Sequence, residues 1–350
     1  MKKLVGSLTA LCLCAVFSGY AVTYYIGPAG SDANDGLSPA TAFGTFLTAT
    51  ETVNDGDTLV ILTGVYTNPV NRVGTNPQVY FGQKTNNTFL SGVTYRGEGP
   101  DKTIFWMDSN TVPSNVWNSR FIRFLGTNNK LESFALKGEL AGDDWWGPIV
   151  YVINSFSGCV ISNIYIKFPD SQVNRTGISP VWNNSVTNLL VTHCLVDGGG
   201  IGVRDFNNAC FHYTTFRNCT LVNQRDIGNA ARGAGVIVEG NDGTIIKNSI
   251  MMNQTRYGIQ LWNPLAGVAT TTVENCIWYG ATNGFIYLTS AATVANESGT
   301  LNVDPNLQTD ALGLPYCSPL TYASYGWRAV PEPTVTLVLG LLALAGLRRK

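Results

Sequence analysis

Carboxylates, guanidinium groups and flat aromatic rings concentrate in a set of short polar loops in the middle of the chain. The loops are residues 138–147 (GELAGDDWWG), 168–177 (FPDSQVNRTG), 197–200 (DGGG), 223–235 (NQRDIGNAARGAG) and 253–258 (NQTRYG). They hold Asp143, Asp144, Asp170, Asp197 and Asp226, with Arg175, Arg225, Arg232 and Arg256, and with Trp145, Trp146 and Tyr257. Clustered Asp oxygens suit Ca²⁺, a hard cation that takes oxygen ligands. Guanidinium forks match planar carboxylates. Indole and phenol faces suit sugar rings, so one rim carrying all three fits an acidic polysaccharide. A plainer reading uses the same residues. Asp in Gly- and Asn-rich turns bonds to its own backbone, and exposed Arg–Asp pairs are ordinary solvated ion pairs.

These loops act together only if the chain stacks them, and its periodicity predicts that it does. A polar residue, then Asn or a substitute, then an apolar run recurs around Asn163, His193, Asn218, Asn248 and Asn275, with a weaker copy at Glu132. The successive steps are 31, 30, 25, 30 and 27 residues. Interleaved with these are strands that follow Gly147, Gly177, Gly200, Gly235, Gly258 and Gly284. The strands are short, alternate apolar with polar residues, and are rich in Val, Ile and Thr. Units of this length with strands and turns predict a β-solenoid, in which no unit buries its inner face alone. Equivalent residues then lie about 4.8 Å apart along the axis. Stacked Asn side chains can bond to one another and to the turns, and His193 fills one place in that ladder as a structural residue. Cys194, Cys219 and Cys276 are expected in one inward column with Ser133 and Ser249, as small core residues.

Two terminal stretches carry a resemblance. "YYIGPAGSDANDGLSPATAFGTF" (24–46), "NDGDTLVILTGVYTN" (54–68) and "NVDPNLQTDALGLPYCSPLTYASYG" (302–326) resemble the opening and closing segments of right-handed parallel β-helix proteins of the pectate-lyase-like superfamily. The resemblance implies an all-β, single-stranded right-handed parallel β-helix over residues 22–329. Residues 22–66 would form the N-terminal cap and first rung, and residues 302–329 the closing segment. It also implies a candidate chemistry, Ca²⁺-dependent β-elimination on a uronic-acid polymer, with an Arg or Lys as base. Arg225, Arg232 and Lys137 are the base candidates, and the five aspartates are the candidate Ca²⁺ ligands. Hydrolases of this superfamily use Asn-Thr-Asp, Asp-Asp, Gly-His-Gly and Arg-Ile-Lys motifs. Only Asp143-Asp144 echoes one, and with two His in the chain there is no Gly-His-Gly. With no complete catalytic motif, polysaccharide binding is expected ahead of lysis.

The two ends read as addresses. Lys2 and Lys3, an apolar run from Leu4 to Phe17, and small residues at Ser18, Gly19 and Ala21 form a signal-peptide pattern over residues 1–21. Residues 330–350 (VPEPTVTLVLGLLALAGLRRK) resemble a PEP-CTERM sorting signal, with Pro331, Glu332 and Pro333 ahead of an apolar stretch and a basic end. That resemblance implies a Gram-negative bacterium, transient anchoring in the inner membrane, an exosortase-type processing enzyme, and a cell-surface or matrix destination. The apolar stretch is shorter than the roughly 20 residues of a relaxed membrane span. Of 22 Lys and Arg, five lie in these ends, and of 23 Asp and Glu only Glu332 does, so the region between carries a net charge of −5. Such a region lacks the basic footprint that nucleic acid requires. Six cysteines remain, Cys159, Cys194, Cys210, Cys219, Cys276 and Cys317, with no Cys-x-x-Cys or Cys/His metal spacing.

Overall fold

The computed structural model describes residues 20–67, 69, 79–107, 121–138, 148–152, 156–171, 175–180, 186–206, 211–226, 233–239, 243–262, 269–288, 292–309, 315–317 and 325–327. Trp145, Trp146, Asp143, Asp144, Arg232, nearly all of the signal segment and the whole of the sorting tail lie outside them. Among the described residues no helix is long and apolar enough to cross a membrane.

The chain coils into a parallel β-helix. Among the described residues, eight parallel strands form a front sheet: Val79–Phe81, Ile122–Phe124, Pro148–Val152, Thr176–Pro180, Ile201–Phe206, Ala234–Glu239, Tyr257–Trp262 and Gly284–Leu288, each beside its sequence neighbour. A second sheet, of 17 strands among the described residues, is bent into two rows. In each middle rung the chain passes from the front sheet into the first row, bends, runs along the second row, and turns a corner back to the front. Inward residues of all three faces, such as Ile161, Val191, Ile166, Val196, Ile178 and Val203, share one core.

The bend between the rows explains the Asn pattern. Ser133, Asn163, His193, Asn218, Asn248 and Asn275 occupy it in turn, all with φ between 49° and 67°. Left-handed backbone costs most residues roughly 1–2 kcal/mol and is least unfavourable for Gly and Asn. Backbone bonds tie each bend to the next rung, as in Asn218 N to Lys247 O at 3.1 Å and Asn248 N to Glu274 O at 3.0 Å. Asn163 also donates to Ser133 Oγ at 3.1 Å. The register corrects the first unit by one residue. Glu132 lies opposite Ser162 and Phe134 opposite Ile164, which places Ser133 in the Asn column and Phe134 in the cysteine column. The first step is 30 residues rather than 31.

Cys159, Cys194, Cys219 and Cys276 are buried free thiols. Burial pushes Cys159 and Cys276 up to about 12, and Cys194 well above its usual value. All four are core residues, as expected for Cys194, Cys219 and Cys276, and Cys159 joins them.

The glycine column also shifts. Its members are Gly177, Gly202, Gly235 and Gly258, so Gly202 replaces Gly200, and Gly284 lies opposite Tyr257. A Cβ on Gly177, Gly202 or Gly235 would stand 2.5–2.9 Å from the carbonyl oxygen of the next glycine. Close approach of one rung to the next therefore excludes any side chain there.

The N-terminal end is closed by the helix Phe46–Thr52, whose N-cap Thr45 accepts from Thr48 N. Phe46 plugs the first rungs, packing on Tyr66 and Phe105 with ring centroids 5.5 Å apart in both cases. The closing segment does something the repeat does not announce. Its residues 325–327 lie on the outside of the second row. Gly326 N donates to Asn248 O at 2.9 Å, and Trp327 N to Thr220 Oγ1 at 2.9 Å. The Trp327 indole stacks on Tyr165 at 6.0 Å and is buried with Ala135, Leu195 and Val222.

Candidate functional site

The corner between the second row and the front sheet is a stacked surface. Asn223 and Asn253 open it in left-handed conformation, with φ of 62° and 59°. Backbone bonds then run from rung to rung, including Arg225 N to Gly199 O at 2.8 Å, Arg256 N to Gly233 O at 3.0 Å and Asn283 N to Arg256 O at 2.8 Å. Beneath it, buried Gln254 donates from Nε2 to Gln224 Oε1 at 3.0 Å, so the corner has a hydrogen-bonded floor.

The structure pairs each described aspartate of this corner with a cation. Asp197 receives Lys167 Nζ at 2.5 Å and Asn223 Nδ2 at 2.8 Å. Asp226 holds Arg256. Asp170 and Arg225 approach to 3.3 Å while staying open to solvent. Among the described residues, no three His, Cys, Asp or Glu side chains converge on a point where a metal ion could sit. Tyr257 stacks on Tyr287 with centroids 4.8 Å apart and planes 22° apart, and Tyr287 is 40% exposed. This puts an open aromatic platform beside Arg256.

One expected contact residue sits elsewhere. Arg175 is only 1% exposed, so its guanidinium lies inside rather than on the rim. Its carbonyl accepts from Gly200 N at 2.8 Å, which fixes the corner between two rungs. Lys137 is on the surface at the corner's edge, with its ammonium 5.4 Å from the centre of the Tyr165 ring.

Sequence reasoning missed a polar stripe on the outer side of the front sheet. Tyr80, Arg123 and Tyr151 are register partners. The Arg123 guanidinium lies 4.9 Å from one ring and 5.8 Å from the other. Farther along, Arg204 grips Glu239 through three hydrogen bonds of 2.8–3.1 Å, with the two residues 4% and 1% exposed. Burial raises the Glu239 carboxyl, and Arg204 draws it partly back. Among the described residues, buried Gln260 on the next strand finds no hydrogen-bond partner for Oε1. A charge in mid-strand, as in "GVRDF" and "GVIVEG", was the available signal.

Comparison with solved structures agrees with the architecture. Pectate lyase Pel9A matches with a TM-score of 0.51 at 15% identity, over 90% of this chain and 91% of that one. A rhamnogalacturonan lyase matches at 0.49 and 15% identity, over 88% and 100%. A pectin methylesterase in complex with a hexasaccharide matches at 0.49 and 13% identity, over 81% and 92%. At such identities the likeness is one of fold, the parallel β-helix. No protein-family model matches the chain, and no curated protein matches it in sequence.

Proposed function

We propose that this chain is an exported surface or matrix protein that binds an extracellular acidic polysaccharide along the corner. The observation that carries the reading is the half-open Tyr257–Tyr287 stack beside Arg256, at one end of a ladder of paired charges. An aromatic face accepts a sugar ring, and a neighbouring guanidinium accepts a uronate carboxylate. The fold likeness to pectate lyase Pel9A supports the ligand class. Export rests on the N-terminal signal pattern. The tail at Pro331-Glu332-Pro333 is the address for an exosortase-type enzyme and provides a transient membrane anchor.

Titration calorimetry against a panel of uronic-acid polymers tests the reading. Tyr257→Ala with Tyr287→Ala should weaken binding by about 1–3 kcal/mol, the scale for losing an aromatic anchor. Full-strength binding by that variant would sink it. A second reading, Ca²⁺-dependent lysis, uses Arg225, Arg232 or Lys137 as base and the corner aspartates as ligands. Exposure of the Arg225 guanidinium beside Asp170 favours it. It requires Ca²⁺-dependent growth of unsaturated-uronate absorbance, and a flat trace with bound polymer would leave binding alone. Intact mass of the natural exported protein tests the address, because a mature form still ending in Lys350 would contradict sorting.

A further inference from the structure

Three side chains at the strand ends of the second row stand in a line, and of them the corner's ion pairs engage Lys167 through Asp197. Trp106 lies in register with Lys137, Lys137 with Lys167, and Lys167 with Asp197. Their neighbours Phe105, Met107, Leu136 and Ile166 are in the core, so the alternation of a strand turns the indole and both ammonium groups outward. Trp106 is 43% exposed. Lys167 is bound by Asp197. Among the described residues no carboxylate reaches Lys137, whose ammonium stands over the Tyr165 ring. Like charges directly opposite on neighbouring strands are destabilising, and an anion lying between the two ammonium groups removes that repulsion.

We infer that Trp106, Lys137 and Lys167 form a second contact for a uronate-containing glycan. A sugar ring lies on the Trp106 indole, and its carboxylate bridges Lys137 and Lys167. This rests on the proposed binding function and adds a place, a direction and a length requirement to it. From Lys137 the register runs through Lys167, Asp197, Val222 and Met252 to Tyr279, on the rung whose front-sheet strand carries Tyr287. Those five strand spacings, at about 4.8 Å each, span about 24 Å, the reach of roughly five sugar units. A glycan running parallel to the helix axis therefore touches both contacts only above that length. The second contact then forms at high effective concentration, and long chains bind more tightly than short ones.

The experiment is calorimetry on the exported protein with oligogalacturonates and oligomannuronates below and above about five units. Wild type should prefer the long oligomers. Trp106→Ala and Lys137→Gln should each lower affinity for long oligomers about tenfold, near the low end for an anchor residue, and leave short ones unchanged. Lys137→Arg, which keeps the cation, should restore most of the loss and guards against a folding artefact. If Lys137→Gln and Trp106→Ala bind long oligomers like wild type while Tyr287→Ala binds poorly, the second contact is wrong and the proposed function stands. If no uronate polymer binds at all, both are wrong. A sulfated polymer held as tightly through Lys137 would overturn the uronate assignment.

Discussion

The Arg204–Glu239 pair gives a sharp test of the outer stripe. Both side chains are almost fully buried and joined by three hydrogen bonds. Desolvating each ion costs several kcal/mol, and their mutual attraction offsets this only while both are present. Glu239→Leu removes the carboxylate that the buried Arg204 guanidinium donates to and should destabilise the protein by about 3–5 kcal/mol. Adding Arg204→Met should recover most of that loss, because both desolvation terms then vanish together. A double-mutant cycle by urea denaturation measures the coupling. The pH dependence has a definite sign. Burial raises the Glu239 carboxyl in the fold, so its contribution to stability is fully present below the ordinary value of 4.5 and is lost as pH rises through the folded value. Glu239→Gln keeps one acceptor oxygen and does not titrate. The stability of wild type minus that of the Gln variant should therefore be largest in acid and shrink above pH 4.5. The reasoning fails if Glu239→Leu costs less than about 1 kcal/mol and the two substitutions simply add. That result would mean that water reaches the pair.

Other expectations follow from the stack. Gly202→Ala places a methyl 2.7 Å from Gly235 O and should cost about 1–3 kcal/mol in urea denaturation. Gly56→Ala, with φ of +82° but nothing within 4 Å, should carry only the left-handed strain of about 1–2 kcal/mol. At the bend, His193→Asn should keep or raise the thermal midpoint, and His193→Val should lower stability by about 1–2 kcal/mol, since φ there is 51°. Cys159, Cys194, Cys219 and Cys276 should resist alkylation at neutral pH in the native protein and react on denaturation, as mapped by mass spectrometry.

The solenoid was legible because its causes are local and repeated. Left-handed bends select Asn, and inward positions select Val, Ile and Cys at rung spacing. The one-residue slip at Ser133 has the same origin: Ser is a poor marker of a left-handed position, and its neighbour Glu132 is polar too. The glycine column was half legible, because Gly200 and Gly202 look alike until the approach of Gly235 O picks one. The corner was legible as a set of residue types and illegible as pairs. Rungs of unequal length bring Asp226 to Arg256 rather than to its sequence neighbour Arg225. Trp106 and Lys167 belong to no motif, and only the register reveals that they share a line with Lys137.

The return of Trp327 to Tyr165 and Thr220 has a mechanical consequence. A tether attached to the C-terminus does not pull on the last rung. Tension enters at the indole's seat, several turns inside the stack, where it loads the rungs sideways across many parallel strand bonds at once. Peeling, which would break the terminal rung at Leu301–Asn302 a bond or two at a time, begins only after that seat gives way. A chain held by its C-terminus in flowing liquid thus has a shear clamp ahead of its weakest edge.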